Sequence, residues 1–307
     1  MGLNYAEKFE PELIKVMIQG CLTSPFITTN VRWLDAKTFH FTQMSTSGYK
    51  NHKRDGGWNR GTYNQTDVPF TLGHDRDIEF LVDKADVDET NRTASIENIS
   101  KNFTETNAVP EIDALFYSKV AAKAKTIDGY HSETAATAYT KANVYEKLKG
   151  YLAAGKLRRR RGELIMYVTS DIMDKLEQST AFTRNIEMTQ IADGGLGIET
   201  RITFIDGVPV MEVIDDERFY DAFDFTEGFV PAVGAHKINV LIASLMTCKT
   251  VPKINSIYDF APGEHTEGDG YLYQNRSLSD VFVFPNGKDG KIDSVYVDTD
   301  TVAVEAA

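Results

Sequence analysis

The spacing of apolar residues in this chain changes along its length, and each change marks a different element. Over 36–44 (AKTFHFTQM) apolar and polar residues alternate, and 77–86 (DIEFLVDKAD) does the same, which predicts two strands with one solvated face each. Between them lies GYKNHKRDGGWNRGTY, residues 48–63. The pattern therefore predicts a long two-stranded excursion, with 77–86 as the way back and 48–63 near its tip. A ribbon that long has no evident core, and isolated hairpins are marginal in water. It is expected to lean on something outside its own domain.

Before the ribbon, Phe9, Leu13, Val16 and Met17 fall at helical spacing, with Pro11 near the helix start. From Ala94 onward the period is helical again, with Ile112, Leu115, Phe116 and Val120 on one face. Pro110 interrupts it, which predicts one long bent helix or two in line. Thr140 is the expected N-cap of a helix over 141–154, whose apolar face is Val144, Leu148, Tyr151 and Leu152 and whose end is Gly155. ELIMYVT (163–169) predicts a buried strand, and Ser170 an N-cap for a helix over 171–179. Residues 199–215 predict a hairpin turned at Asp206-Gly207, and 237–251 (KINVLIASLMTCKTV) one long apolar strand. The segment 279–299 predicts a last hairpin, signalled by Asn286-Gly287 and Asp289-Gly290. Strands and helices mix without regular βαβ alternation, which gives an α+β class.

Composition narrows the chemistry. The chain has 307 residues and a net charge of −12, so contact with nucleic acid would need a local basic patch rather than the field of the whole protein. Two cysteines, Cys21 and Cys248, are too few for a disulfide framework and too isolated for a zinc site, which fits a reducing, cytoplasmic origin. No stretch approaches the roughly 20 apolar residues of a membrane span, and the N-terminus lacks the apolar core of a signal peptide. His40, His52, His74, His131, His236 and His265 form no paired ligand motif. There is no nucleophile elbow and no Walker loop, and DGGLG (193–197) leads into a strand rather than a helix. Asp83, Asp86, Asp88 and Glu89 lack the glycine and distal glutamate of a calcium loop and read as a solvated strand end. No catalytic residue, cofactor or metal is assigned.

Two basic features remain. Arg158, Arg159, Arg160 and Arg161 precede the buried strand, and guanidinium forks suit carboxylates or phosphates, so this run is a candidate inter-subunit or DNA contact. In 48–63, Lys50, Lys53, Arg54 and Arg60 surround Tyr49, Trp58 and Tyr63. Cations with interleaved aromatics suit single-stranded nucleic acid, and they suit a protein interface equally. On an acidic molecule a basic loop is complementary to copies of itself, which favours the interface.

The order of parts resembles the major capsid proteins of tailed bacteriophages, the Hong Kong 97-type fold that encapsulins share, and more closely coat proteins of phages of Gram-positive bacteria. The resemblance rests on AEKF (6–9), RDGGWNRG (54–61), Asp75-Arg76, VPEIDALFYSK (109–119), YVTSDIMDKLEQS (167–179), IDGVPVMEV (205–213) and DGYLYQNRSLSDVFVF (269–284). It implies an N-terminal arm over 1–35 and an extended loop over 36–83. It further implies a peripheral domain over 84–125 and 237–277, with a spine helix near 94–125, and an axial domain over 126–236 and 278–307. The implied function is a non-enzymatic shell protein that self-assembles as pentamers and hexamers into an icosahedral head, part of the virion and assembled in the host cytoplasm. Lys50, Lys53, Arg54, Trp58 and Arg60 would contact an adjacent subunit. Implied partners are a separate scaffolding protein, since the arm lies close to Met1, a portal protein, a decoration protein where one exists, and packaged DNA held by weak non-specific contact. A lysine–asparagine crosslink is not expected, although Lys50 and Lys53 sit in the corresponding loop. An encapsulin-like compartment enclosing a protein cargo is the alternative, with a nucleic-acid-binding module behind it.

Overall fold

The computed structural model describes residues 20–29, 31, 33, 35, 37–52, 56–84, 96–154, 157, 163–179, 187–190, 199–264, 268–286 and 291–305. The strands in chain order are β1 (Thr38–Thr46), β2 (Tyr63–Thr71), β3 (His74–Asp83), β4 (His131–Glu133), β5 (Leu164–Thr169), β6 (Glu187–Gln190) and β7 (Glu199–Ile205). They continue with β8 (Val208–Val213), β9 (Phe223–Asp224), β10 (Val230–Pro231), β11 (His236–Ser244), β12 (Cys248–Phe260), β13 (Gly270–Val283) and β14 (Val295–Ala303). The helices are α1 (Ile96–Phe103), α2 (Val109–Lys125), α3 (Val144–Leu152) and α4 (Ser170–Glu177).

The largest sheet has the order β4-β14-β11-β5-β8-β7-β6. Because side chains alternate along a strand, each of its central strands feeds two cores. Ile165, Tyr167, Leu241 and Ala243 pack with Leu115, Phe116, Tyr117 and Val120 of α2. Met166, Val168, Val240 and Ile242 pack with Val144, Leu148 and Leu152 of α3 and Ile172, Met173 and Leu176 of α4. The sheet is thus covered on both faces, which explains why β5 is buried at all six positions. The β7–β8 turn is as expected. Asp206 (φ 54°) and Gly207 (φ 80°) both lie in the left-handed region, as a two-residue hairpin turn demands.

A second sheet, order β12-β13-β3, is antiparallel throughout. Pro110 stands in the first turn of α2, and α1 runs into α2 through one wider π turn, Thr104–Ala108. Thr104 and Thr106 donate their hydroxyls to the carbonyls of Ser100 and Asn102 at 2.9 and 2.8 Å. These bonds serve backbone groups in the stretch where the α-helical ladder is interrupted. The outcome is the two helices in line that Pro110 predicts.

Several expectations are corrected. The ribbon exists, but its return strand is β2, paired with β1 in unbroken register from Thr38↔Thr71 to Thr46↔Tyr63. The alternating segment taken for the way back, β3, pairs with β13. Alternation reports a solvated face and says nothing of the neighbour. Pro69 is tolerated in β2 because each strand of a two-stranded ribbon has a free edge. The apolar run 237–251 is two strands in two sheets, broken at residues 245–247, where the Leu245 N–H donates to the Glu163 carbonyl at 2.7 Å. β13 and β14 likewise belong to different sheets, so 279–299 is a crossover rather than a hairpin. Its link is closed by the Asn286 N–H on the Lys291 carbonyl (3.1 Å), and residues 287–290 lie outside the described residues. Asn143, not Thr140, is the N-cap position of α3; its side chain makes no capping bond to the helix, and its Oδ1 accepts instead from the Thr140 N–H at 2.8 Å. Thr169 caps α4, and Ser170 is its first residue. The expected helical residues Phe9, Leu13, Val16 and Met17 and the DGGLG loop lie outside the described residues, as do Asp86, Asp88, Glu89 and Gly155.

Candidate inter-subunit surface

Among the described residues, the packing that holds the β1–β2 ribbon gathers at its root. There Phe39, Leu72, Val251 and Leu278 are buried together, and the Phe39 ring meets Trp33, Phe70, Phe282 and Phe284 with centroids 5.1–6.3 Å apart. Lys253 stands 3.7 Å above the Trp33 ring, a cation–π contact. The backbone N–H groups of Lys37 and Thr38 both donate to Asp35 (2.9 and 2.7 Å) and hold its carboxyl below the usual carboxylate range. A ring cluster on one side and an Asx-type turn on the other thus fix the angle at which the ribbon leaves the body.

Nine residue pairs take the ribbon about 30 Å from that root. At the tip, the Ser47 N–H donates to the Thr62 carbonyl (2.8 Å), and the Thr62 N–H to the Ser47 Oγ (2.9 Å). Lys50 Nζ donates to the Arg60 carbonyl (3.1 Å), and Asn59 Nδ2 to the Asn51 carbonyl (2.9 Å). Gly57 has φ 68°, a value that suits glycine. The loop is therefore closed by its own polar bonds, and its large side chains are left out: Trp58 is 95% exposed, and Tyr49, Tyr63 and Met44 are exposed with it. Of the expected contact residues, Lys50, Trp58 and Arg60 share this tip. Lys53 and Arg54 lie outside the described residues, as do Arg158, Arg159, Arg160 and Arg161.

Sequence reasoning missed an acidic face on β3. One face of β3 carries Asp75, Asp77, Glu79, Leu81 and Asp83, all exposed, while Ile78, Phe80 and Val82 of the other face are partly buried. Phe80 meets Phe103 of α1 at 5.5 Å. Asp75 is paired with Arg276 (3.0 Å) and Lys37 (3.2 Å), and the Arg276 hydrogen bond leads in holding its carboxyl below the usual range. Glu79 accepts from Gln274 at 2.6 Å. The signal was present in DRDIEFLVD, where period two places four carboxylates on one face.

Also missed was the charge that fastens the chain end to the long helix. Asp113 of α2 is fully buried and accepts from the backbone N–H groups of Leu22 and Thr23 (both 3.0 Å), the Thr23 hydroxyl (2.7 Å) and Arg218 Nη1 (3.1 Å). Arg218, itself fully buried, also binds Asp215 through Nε (2.9 Å) and Nη2 (2.8 Å). Burial, with the Asp113 charge behind it, raises the Cys21 thiol far above its usual range, and burial pushes the Cys248 thiol up to about 12. Neither is a nucleophile at neutral pH. Native protein at pH 8 is expected to resist a maleimide at both thiols and to take up two equivalents in denaturant, as read by mass spectrometry.

A second buried carboxylate looks chemical and is structural. Asp298 of β14 accepts from Thr134 Oγ1 (2.7 Å), Tyr139 OH (2.6 Å), Asn239 Nδ2 (3.0 Å) and the Ser132 hydroxyl. It ties β4, β11 and the 134–139 segment to one strand. Burial, then the Asp298 charge, raises the Tyr139 phenol far above its usual range, so it stays protonated as a donor. Asp298 is fully buried. Asp298→Ala is expected to cost about 2–4 kcal/mol, since four donors lose their acceptor; a shift in the denaturation midpoint would check it. Among the described residues no group of three His, Cys, Asp or Glu side chains could hold a metal, and no helix is long and apolar enough to cross a membrane.

By sequence, no family model and no curated protein matches the chain. By structure, it is similar to a chain of the mature capsid of bacteriophage PhiM1, with TM-score 0.64 and 13% identity over 96% of this chain and 91% of that one. It is also similar to the capsid structure of cyanophage P-SCSP1u, with TM-score 0.60 and 10% identity over 97% and 93%. The capsid of Ralstonia phage GP4 gives TM-score 0.57 and 10% identity over 99% and 97%. With a seven-stranded sheet covered on both faces, a long in-line helix and a ribbon that leaves the body, the chain has the α+β, Hong Kong 97-type fold of tailed-phage capsid proteins.

Proposed function

We propose that this chain is the major capsid protein of a tailed bacteriophage, a non-enzymatic subunit that self-assembles as pentamers and hexamers into an icosahedral head around double-stranded DNA. The observation that carries this reading is the ribbon, joined to a fold alike from end to end with phage shell proteins. A ribbon about 30 Å long with an exposed tryptophan at its tip is costly on an isolated subunit and sensible where a neighbour covers it. A net charge of −12 fits a container whose DNA must enter and leave without strong attraction. In the assembled head the partners are further copies of the chain, with scaffolding, portal and, where present, decoration proteins completing it.

The proposed division follows the sheets. The extended loop is the ribbon, 38–71, and β3 goes with β12 and β13 in the peripheral unit beside α1 and α2. β11 goes with the axial unit, because it is central in the seven-stranded sheet. The boundary expected at 237 thereby moves to 245–247, and the N-terminal arm keeps residues 1–35.

Negative-stain microscopy of the expressed chain, with and without its scaffolding protein, tests this. Closed particles or five- and six-fold capsomers are expected. A protein that stays monomeric under both conditions overturns the reading, and particles that retain a co-purifying protein cargo make it an encapsulin-like compartment.

A further inference from the structure

We propose that the segment 219–236, which carries the β9–β10 hairpin, is a detachable strap between the two sheets, latched on β3 by Arg76. Its effect on particle size rests on the self-assembly proposed above, whereas its opening is a property of the single subunit.

The two ends of the strap are held in different ways. At the base its bonds engage the backbone of β11. The Asp221 N–H donates to the His236 carbonyl (3.0 Å), the His236 N–H to Asp221 Oδ1 (2.7 Å) and the Ile238 N–H to the Phe219 carbonyl (2.9 Å). Phe219 is fully buried, with its ring 4.8 Å from that of Tyr117 of α2, and Lys125 in the last turn of α2 pairs with Asp221. At the tip the hold passes through side chains. Arg76 of β3 donates to the carbonyls of Phe225 and, from Nη2, of Gly228 (3.2 Å), while its Nε pairs with Glu111 of α2 at 2.9 Å. His74 Nε2 lies 3.0 Å from the same Glu111 oxygen, and the His74 ring meets Phe225 edge-on at 4.9 Å. Among the described residues, the polar contacts between the hairpin and β3 are those of Arg76.

Glu111 stands in the first turn of α2 and Lys125 in its last, a rise of about 21 Å. The strap therefore runs along the helix, from its base on the seven-stranded sheet to its tip on the three-stranded one. The hairpin also keeps its own shape. Asp224 accepts from the Thr226 N–H (2.9 Å) and hydroxyl (2.6 Å), Gly228 has φ 71°, and the Phe223 ring meets Phe225 and Phe229 at 5.9 and 6.2 Å. Thr226, Glu227 and Gly228 are exposed, and Phe225 and Phe229 are only partly buried. Letting go of Arg76 thus frees a preformed hairpin and unfolds neither sheet, which places the opening at the low end of local stabilities. With the tip docked, the angle between the sheets is fixed from both sides of α2; with the tip free, the strap no longer restrains it. A head of pentamers and hexamers sets the same chain between neighbours at more than one angle, and the latch governs how far each subunit yields to them.

Hydrogen exchange and particle size test this together. In Arg76→Met the amides of residues 226–229 are expected to exchange at least tenfold faster than in wild type, with those of 238–243 unchanged because the base keeps its bonds. Arg76→Lys keeps a cation beside Glu111 but not a fork that reaches two carbonyls, and it is expected to do the same. By negative-stain microscopy, particles of either variant are expected to spread over at least twice the range of diameters of wild type. Unchanged exchange at the tip overturns the inference, and so does faster exchange with wild-type diameters. If the wild-type chain forms no particles, the capsid assignment itself fails, and the strap is then judged by exchange in the subunit alone.

Discussion

The Arg218→Met subunit is expected to unfold at markedly lower denaturant than wild type, having lost about 3–5 kcal/mol. The size comes from what is left behind. Asp113 has no exposure, and Arg218 is the cation that faces it. Removing that cation leaves a carboxylate in the core with four neutral donors, the Leu22 and Thr23 amides, the Thr23 hydroxyl and the Cys21 thiol. An ion pair of this kind adds little over an apolar replacement of both partners, yet breaking it from one side strands a charge. The double variant Asp113→Asn with Arg218→Met should therefore recover much of the loss. Hydrogen exchange gives a second measurement. Because Asp113 fastens residues 22 and 23 to α2, the amides of Leu22 and Thr23 should lose protection first in Arg218→Met, before those of β5. A midpoint shift worth less than about 1 kcal/mol would mean that the pair is solvated.

Trp58→Ala is expected to leave the subunit folded and to prevent or sharply weaken shell formation. Being 95% exposed, the Trp58 ring has little packing to lose within its own subunit, so denaturation should not register the change. At an interface, burial of such a ring is commonly worth about 2 kcal/mol or more. One contact of that size is roughly a thirtyfold change in association, and a closed shell repeats it at every subunit. Sedimentation of the assembly reaction should show free subunits where wild type gives particles. The conservative Trp58→Phe should retain part of the assembly, since it keeps an apolar ring. If Trp58→Ala assembled normally, the tip would be a spectator and the ribbon's contacts would have to lie along β1 and β2.

What the chain displays locally could be read from its letters. Asp206-Gly207 specified its turn because two consecutive positive φ angles admit few other pairs. Pro110 specified a helix start because its chemistry is excluded further in. Leu164–Thr169 was legible because five successive apolar residues, Leu164 to Val168, between polar neighbours have little choice but the middle of a sheet. Pairing was not legible. Ile78 pairs with Asn275 and Leu81 with Leu272, and nothing in either segment names a partner so distant in sequence. The run 237–251 stayed undivided because hydrophobicity records burial, and Ala243 and Cys248 are equally buried although they lie in different sheets. The candidate surface divides the same way. Its cationic, aromatic tip stood out against an acidic chain, but that the tip stands about 30 Å from the body depends on the β1–β2 pairing, which no local letter names. Asp113 and Asp298, the two best-connected carboxylates of the core, are single acidic letters among apolar ones, and their meaning depends on partners brought in by the fold.

The wide turn between α1 and α2 sets a phase. An α-helix advances about 100° per residue, and a π turn spreads its residues over a longer arc, so Thr104–Ala108 determines which side of α1 faces the three-stranded sheet while α2 reaches on to the seven-stranded one. Deleting one residue from this turn would turn α1 by about 100° against α2 and swing Phe103 away from Phe80. A segment with no catalytic group and no fully buried side chain thus fixes the angular offset between α1 and α2. Single-residue deletions there should be far less tolerated than substitutions.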